Sequence, residues 1–305
     1  MRVASIDIGT NTVLLLVAER DARLGRDTLV AVREEATITR LGEGVDVART
    51  LLPEAIARTN DCLTRYAAIA RELGVEKIAV VGTSAMRDAG GGDAVRSHVK
   101  SVLGVEARTI SGEEEARLTF RGALSGMEDV DGDVVVFDIG GGSTELVSAK
   151  VSEDPKWSES FDIGSVRLTE RHVKSDPPTE AELDAVRANV RTVLAGVPKL
   201  ARRGPPIGIA GTVTTLAAVS MGLAPYDGAK VHGFTMSRDR LEMVVRDLSV
   251  MPQSERKNVR GLEPKRADVI VAGGLIALGV LDVLGADAMR ISDRGVRWGL
   301  AETLA

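Results

Sequence analysis

The feature that most limits how this chain can fold is a repeat. "VASIDIGTNTVLLLVAE" (Val3 to Glu19) and "VVVFDIGGGSTELVSAK" (Val134 to Lys150) share one pattern: an apolar strand, Asp-Ile-Gly, a turn of small residues, and a second apolar strand. Asp7 aligns with Asp138, Gly9 with Gly140, Asn11 with Gly142 and Leu16 with Val147. A carboxylate inside an apolar strand is costly unless something compensates it. Two matched hairpins, one per half, imply two similar α/β domains, 1–126 and 127–305, whose hairpin loops face one another across a cleft.

Strand and helix signals alternate in both halves. In the first, Val3 to Ile8 and Val13 to Ala18 read as a strand hairpin, followed by weaker strands near residues 28–40. Pro53 opens a helix whose apolar residues Ile56, Leu63, Tyr66, Ala67, Ala70 and Leu73 fall on one face, and Gly74 ends it. Lys77 to Val81 and Val105 to Ile110 read as strands around a helix from Asp93 to Leu103. Ser111-Gly-Glu-Glu114 has capping-box spacing at the start of a helix running to about Leu124. The acidic, turn-rich Gly126 to Gly132 marks the boundary. Strands are then expected at Val134–Phe137, Thr144–Ser148, Ser160–Ile163, Pro206–Ala210 and Ala288–Ile291. Helices are expected at Thr179–Lys199, Val213–Met221 and Ala267–Leu284, with a last one from about Val296.

Composition narrows the class. The chain has 305 residues, 44% of them apolar and 27% charged, as a globular protein of that size would. Its net charge of −5 argues against a general nucleic-acid binder, while a local basic patch still leaves room for a polyanionic ligand. The single cysteine, Cys62, allows no intrachain disulfide and fits a reducing cytosol. The opening Arg2 and its apolar stretch lack a small-residue cleavage site, so a signal peptide is not expected. The uncharged run Val269 to Leu281 is too short to span a bilayer.

The loops Gly9-Thr10-Asn11-Thr12 and Gly140-Gly141-Gly142-Ser143 suit an anion. Glycine lets a ligand approach the backbone closely, successive N–H groups form a nest, and hydroxyls add donors. An aspartate at the start of each loop can hold a divalent cation directly or through water. Each hairpin taken alone reads equally well as a plain β-turn; the duplication favours the phosphate clamp.

"DIGTNT", "GTSAMRDA", "ISGEEEARL", "FDIGGGSTELV", "DIGSVRLTER", "GIAGTVTTLAA", "VHGF", "GLEPKRADVIVAGG" and "SDRGVRWGL" occur in this order. The set resembles the exopolyphosphatase / guanosine pentaphosphate phosphohydrolase family, within the actin / sugar-kinase / heat-shock ATPase superfamily, over essentially the whole chain. The resemblance implies two ribonuclease H-like domains and metal-dependent hydrolysis of terminal phosphoanhydride bonds in polyphosphate or guanosine pentaphosphate. It also implies Mg²⁺ or Mn²⁺ as cofactor and a possible homodimer, with no role for nucleic acid or membrane. It makes Glu115 the general base and Arg87 a contact to the substrate phosphates, and it places the metal at Asp138 and Glu145 with Asp7 facing them. Gly211 and Thr212 in "GIAGT" would belong to a second-domain phosphate loop. From the sequence alone Glu115 reads equally as a dipole-complementing residue in a first helical turn, Arg87 as a surface arginine, and "GIAGT" as a structural strand-to-helix turn.

Two departures stand out. Leu14 occupies a position where many members have Arg or His, and the chain stops at Ala305, as short members do. A sugar or acetate kinase of the same superfamily, or an actin-like nucleotide switch, are the competing readings. Neither needs "SGEEEA", and no acceptor-binding insertion with its own Asp base is visible. His232 in "VHGF" reads as a cleft residue or a structural one. The basic stretch Arg256, Lys257, Arg260, Lys265 and Arg266 is either a solvated loop or a track for a polyanion.

Overall fold

In the computed structural model, which describes residues 1–21, 28–127, 129–151 and 153–305, the first predicted hairpin is β1 (Arg2–Ile8) and β2 (Thr12–Asp21). Ile8 pairs with Val13 next to the turn, and Asp7 lies directly opposite Leu14. The weaker strand signals form one element, β3 (Thr28–Ile38), antiparallel to β2. Short α1 (Val45–Ala48) and long α2 (Pro53–Glu72) follow, the latter stopped at left-handed Gly74. Then come β4 (Lys77–Gly82), α3 (Ser84–Asp88), α4 (Gly92–Leu103), β5 (Ala107–Thr109) and α5 (Gly112–Leu124). The sheet order is β3-β2-β1-β4-β5, with β4 and β5 parallel to β1. This is the ribonuclease H-like order.

The second half repeats it. β6 (Asp133–Ile139), β7 (Thr144–Lys150) and β8 (Trp157–Phe161) form an antiparallel meander. They lead to α6 (Ser165–His172), α7 (Glu180–Leu194), β9 (Ile207–Ile209) and α8 (Ala210–Met221). Next are α9 (Gly228–Val231), β10 (Thr235–Ser237), α10 (Arg238–Ser249), α11 (Gln253–Arg256), a 3-10 turn at Pro264–Arg266, and α12 (Ile270–Leu284). β11 (Ala288–Ile291) and α13 (Val296–Glu302) complete the chain. The order β10-β11-β9-β6-β7-β8 is the first sheet's order with β10 added at one edge.

Several boundaries differ from expectation for physical reasons. β8 begins at Trp157 because its register on β7 sets Phe161 opposite Thr144 and Trp157 opposite Ser148; Ile163 lies beyond the strand, buried. α7 ends at Leu194, before Gly196 and Pro198. A full capping box forms at its start, between Thr179 and Glu182. The predicted box at Ser111 forms only by half: Ser111 Oγ accepts from Glu114 N at 3.2 Å, while the Glu114 carboxylate accepts from Arg108.

The chain forms two compact units, Met1–Gly122 with Val296–Ala305, and Ala123–Gly295. Residues 296–305, which the sequence reading put in the second domain, pack with the first. The alternation of β1 explains it. Ala4, Ile6 and Ile8 point into a core shared with α2, whereas Val3 on the opposite face joins Leu16, Ala18 and Leu29 in burying Trp298 and Ala301 of α13. Val296 and Leu300 of the same helix pack on Val81, Ile110 and Leu118. Without α13 that face of the sheet would stand in water. The core of the second unit is larger, centred on nearly wholly apolar α12 against α6, α7, α8 and α10.

Candidate active site

In open α/β sheets, ligands bind beyond the carboxyl ends of the parallel strands. In the first unit Ile8, Gly82 and Thr109 are in register across β1, β4 and β5, so Gly9, Thr83 and Ile110 emerge at one edge. The predicted first-domain residues meet that edge. Gly9 N donates to Thr12 O at 3.1 Å and closes the hairpin turn. The Thr10 carbonyl accepts from Gly42 N at 2.8 Å, and the Asn11 carbonyl accepts from Thr39 N and Arg40 N at 3.0 Å each. With those carbonyls committed to their own unit, they do not oppose an anion at the turn. Thr10 Oγ1 lies 2.7 Å from Ser84 Oγ, which adds a hydroxyl the sequence reading did not single out; its signal was the "TS" of "GTSAMRDA".

Arg87 on α3 and Glu115 on α5 come together. Arg87 Nη1 donates to Glu115 Oε2 at 2.9 Å and to the Ile110 carbonyl at 3.3 Å. The Glu115 side chain is 13% exposed, whereas Glu113 faces solvent. Of the three glutamates at this helix start, Glu115 is therefore the one set inward at the strand edge beside an arginine.

Asp7 is buried on the α13 side of β1. Burial pushes its carboxyl up to about 7, with the Arg297 guanidinium pulling it the other way. Its Oδ1 is buried without a hydrogen-bond partner among the described residues. Arg297 is itself held by Glu34, at 2.6 Å. An orphaned carboxylate oxygen at a strand end suits a proton or a cation.

The second unit builds the same turn: Gly140 N donates to Ser143 O at 3.0 Å. Its carbonyls are also committed inward. Gly140 O accepts from Ser165 N and Gly141 O from Val166 N, at 3.0 and 2.9 Å. A Cβ on Gly164 would overlap the backbone of Gly141 and Gly142, so this close approach requires glycine. Asp138 lies directly opposite Glu145 across β6 and β7, and Ser160 Oγ donates to Glu145 Oε1 at 2.8 Å. Cross-strand neighbours of this kind have Cβ atoms about 5 Å apart. Leu14 is the counterpart of Glu145 in the first hairpin, so only the second carries a facing carboxylate pair. Among the described residues no three His, Cys, Asp or Glu side chains converge on a point. Two carboxylates completed by water and phosphate oxygens suit Mg²⁺, which dehydrates reluctantly.

At the β9–α8 turn Ala210 is held at φ 66°, a left-handed conformation that strains an alanine. Gly211 follows; a Cβ there would overlap the Arg266 guanidinium, so the Arg266 head lies over this turn. Thr212 is buried, its methyl packed where Gly273 of α12 leaves room. Its side chain is thus structural, and what it can offer an anion is its backbone N–H. Arg256, in the basic stretch that read as either a solvated loop or a polyanion track, is 3% exposed and structural: it donates to the Met251 and Ala267 carbonyls and to Asp176. Lys257, Arg260 and Lys265 are exposed. His232 Nδ1 lies 3.3 Å from Ser292 Oγ, beyond the end of β11.

The model of the Ppx/GppA phosphatase family matches residues 16–304. Exopolyphosphatase 2 of Mycobacterium tuberculosis is 39% identical over 318 residues, covering 100% of this chain and 98% of that protein. The crystal structure of an exopolyphosphatase-like protein superposes with a TM-score of 0.90 at 32% identity, covering 100% of this chain and 99% of the other. The Aquifex aeolicus member of the Ppx/GppA family gives 0.83 at 34% identity, with 100% and 98% covered. The fold and the sequence thus match over essentially their full length, and the chain belongs to the Ppx/GppA phosphatase family.

Proposed function

We propose that this protein hydrolyses terminal phosphoanhydride bonds, releasing orthophosphate from inorganic polyphosphate, guanosine pentaphosphate or both. The observation that carries the reading is the Arg87–Glu115 pair at the strand edge of the first unit, joined by the Gly9–Asn11 turn. Hydrolysis needs a positioned water and neutralisation of charge on the transferred phosphoryl group. Glu115 is the group to take a proton from the water. Arg87 fixes its orientation before substrate arrives and is a cation at the same strand edge that phosphate oxygens can engage. The turn of the first hairpin supplies N–H donors and hydroxyls at the same strand edge, and the second unit's hairpin carries a turn of the same kind. In the second unit, a Mg²⁺ or Mn²⁺ ion held by Asp138 and Glu145 would supply charge neutralisation; in the first unit, Asp7 is a separate candidate carboxylate for a cation. No covalent nucleophile is called for. The names of the relatives and the full-length match support the reaction class, and the single buried cysteine supports residence in a reducing cytosol. The test is release of orthophosphate from polyphosphate with no acceptor present. Phosphate transfer from ATP to a sugar, with no such release, would point to the kinase branch of the superfamily instead.

A further inference from the structure

Tyr226 is the one exposed aromatic side chain in this protein, about half accessible; the other seven are buried or partly buried. An isolated exposed tyrosine is ordinary, but this one is fixed in place. Its hydroxyl donates to Asp293 Oδ1 at 2.6 Å. Asp293 in turn nests against the first residue of α9, where a Cβ on Gly228 would overlap its Oδ2. The ring is therefore tethered at its polar tip to a carboxylate that is itself packed, and it presents a preset apolar face.

Its place in the sheet gives that face a use. β11 runs parallel to β9 with Ile291 opposite Gly208, and Ser292 N continues the ladder to Gly208 O at 2.9 Å. Asp293 stands two residues beyond Ile291, as Ala210 stands two beyond Gly208. A Cβ on Gly295 would come 3.2 Å from Ile209 Cδ1, so the chain still runs beside the β9 end there. Neighbouring strands lie about 5 Å apart. The tethered ring thus belongs to the same carboxyl edge of the same unit as the Ala210–Gly211 turn and its overlying Arg266.

From this we infer that Tyr226, held by Asp293, is a stacking seat for the base of a nucleoside polyphosphate whose phosphates occupy the Gly211 turn. The inference rests on the phosphate-site reading above and deepens it: of the two proposed substrate classes, the nucleotide is the one for which this unit has a dedicated contact. An inorganic polyphosphate has no flat apolar surface to place on the ring. Base–aromatic stacking is worth about 1–3 kcal/mol, or roughly 5- to 150-fold in affinity.

The test compares two probes that share a triphosphate and differ by a nucleoside, GTP and inorganic tripolyphosphate, by calorimetric titration of the whole protein. Tyr226→Ala is expected to weaken GTP binding at least fivefold and to leave tripolyphosphate binding within twofold. Tyr226→Phe keeps the face and loses the tether, and should fall between wild type and Tyr226→Ala for GTP alone. Equal losses for both probes in Tyr226→Ala, or none for either, would overturn the seat. The readout is binding, so phosphate release from polyphosphate by the wild-type protein judges the hydrolase reading separately. Unchanged melting temperatures of the variants establish that folding is not the cause.

Discussion

The guanidinium of Arg87 and the carboxylate of Glu115 form an ion pair 2.9 Å long between two helices that start at neighbouring strand ends. The pair fixes the orientation of the carboxylate and occupies one of its oxygens. Arrival of substrate phosphates, which compete for Arg87, would release it. Glu115→Gln keeps size and hydrogen bonding and removes basicity. Its kcat is expected to drop at least about 100-fold with KM little changed. Turnover near the wild-type rate would take Glu115 out of the role.

Asp138→Asn and Glu145→Gln each delete a charge from the facing pair on β6 and β7. Each is expected to raise the Mg²⁺ concentration giving half-maximal activity, and the double variant more than either. EDTA should abolish phosphate release by the unaltered protein. Release that persists through chelation would exclude the ion from the reaction.

Asp7 links stability to pH. Its carboxyl, raised to about 7 against an ordinary value of 3.8, binds its proton more tightly folded than unfolded. The stabilisation is complete below the ordinary value and is lost as pH climbs through 7. Asp7→Asn removes this dependence. In metal-free buffer, the stability of Asp7→Asn relative to wild type should rise between pH 5 and pH 8, by on the order of 2 kcal/mol. Parallel melting curves for the two proteins across that range would contradict the assignment.

The basic stretch divides in two. Arg256 ties Met251, Ala267 and Asp176 together from a buried position, so Arg256→Ala should cost roughly 3 kcal/mol in denaturant unfolding and leave KM for long polyphosphate unchanged. Lys257 and Arg260 face solvent. Neutralising that pair together is expected to raise KM for long polyphosphate and reduce its salt sensitivity. A KM unmoved by the double change would show these two residues to be ordinary surface charges.

The hairpins were legible because strand, Asp-Ile-Gly and small-residue turn occur twice, and a period-two pattern fixes which residues share a face. Glu115 was legible only through the family motif: its neighbours Glu113 and Glu114 are chemically identical, and which of them points inward is set by the phase of α5. α10 carried a readable signal, Leu241, Val244, Val245 and Leu248 after a Ser237 cap. α3 and α6 did not, being short and opened by tertiary contacts. α6 begins where Ser165 N and Val166 N find the carbonyls of Gly140 and Gly141, and no local pattern announces partners that far away in sequence. Arg256 looked like its neighbours in composition, and its burial follows from Asp176, a residue distant along the chain.

The placement of α13 bears on the order in which the protein can be made. Val3, Leu16 and Leu29 are synthesised well before the Trp298 that covers them. Between them the ribosome must deliver the whole of the second unit, which at about 5–20 residues per second takes on the order of ten seconds or more. Throughout that interval the nascent first sheet carries an uncovered apolar face. The second unit can close its core before the first is sealed, so maturation runs opposite to the direction of translation. A chain stalled short of residue 296 presents that sticky face as a standing target for chaperones and proteases.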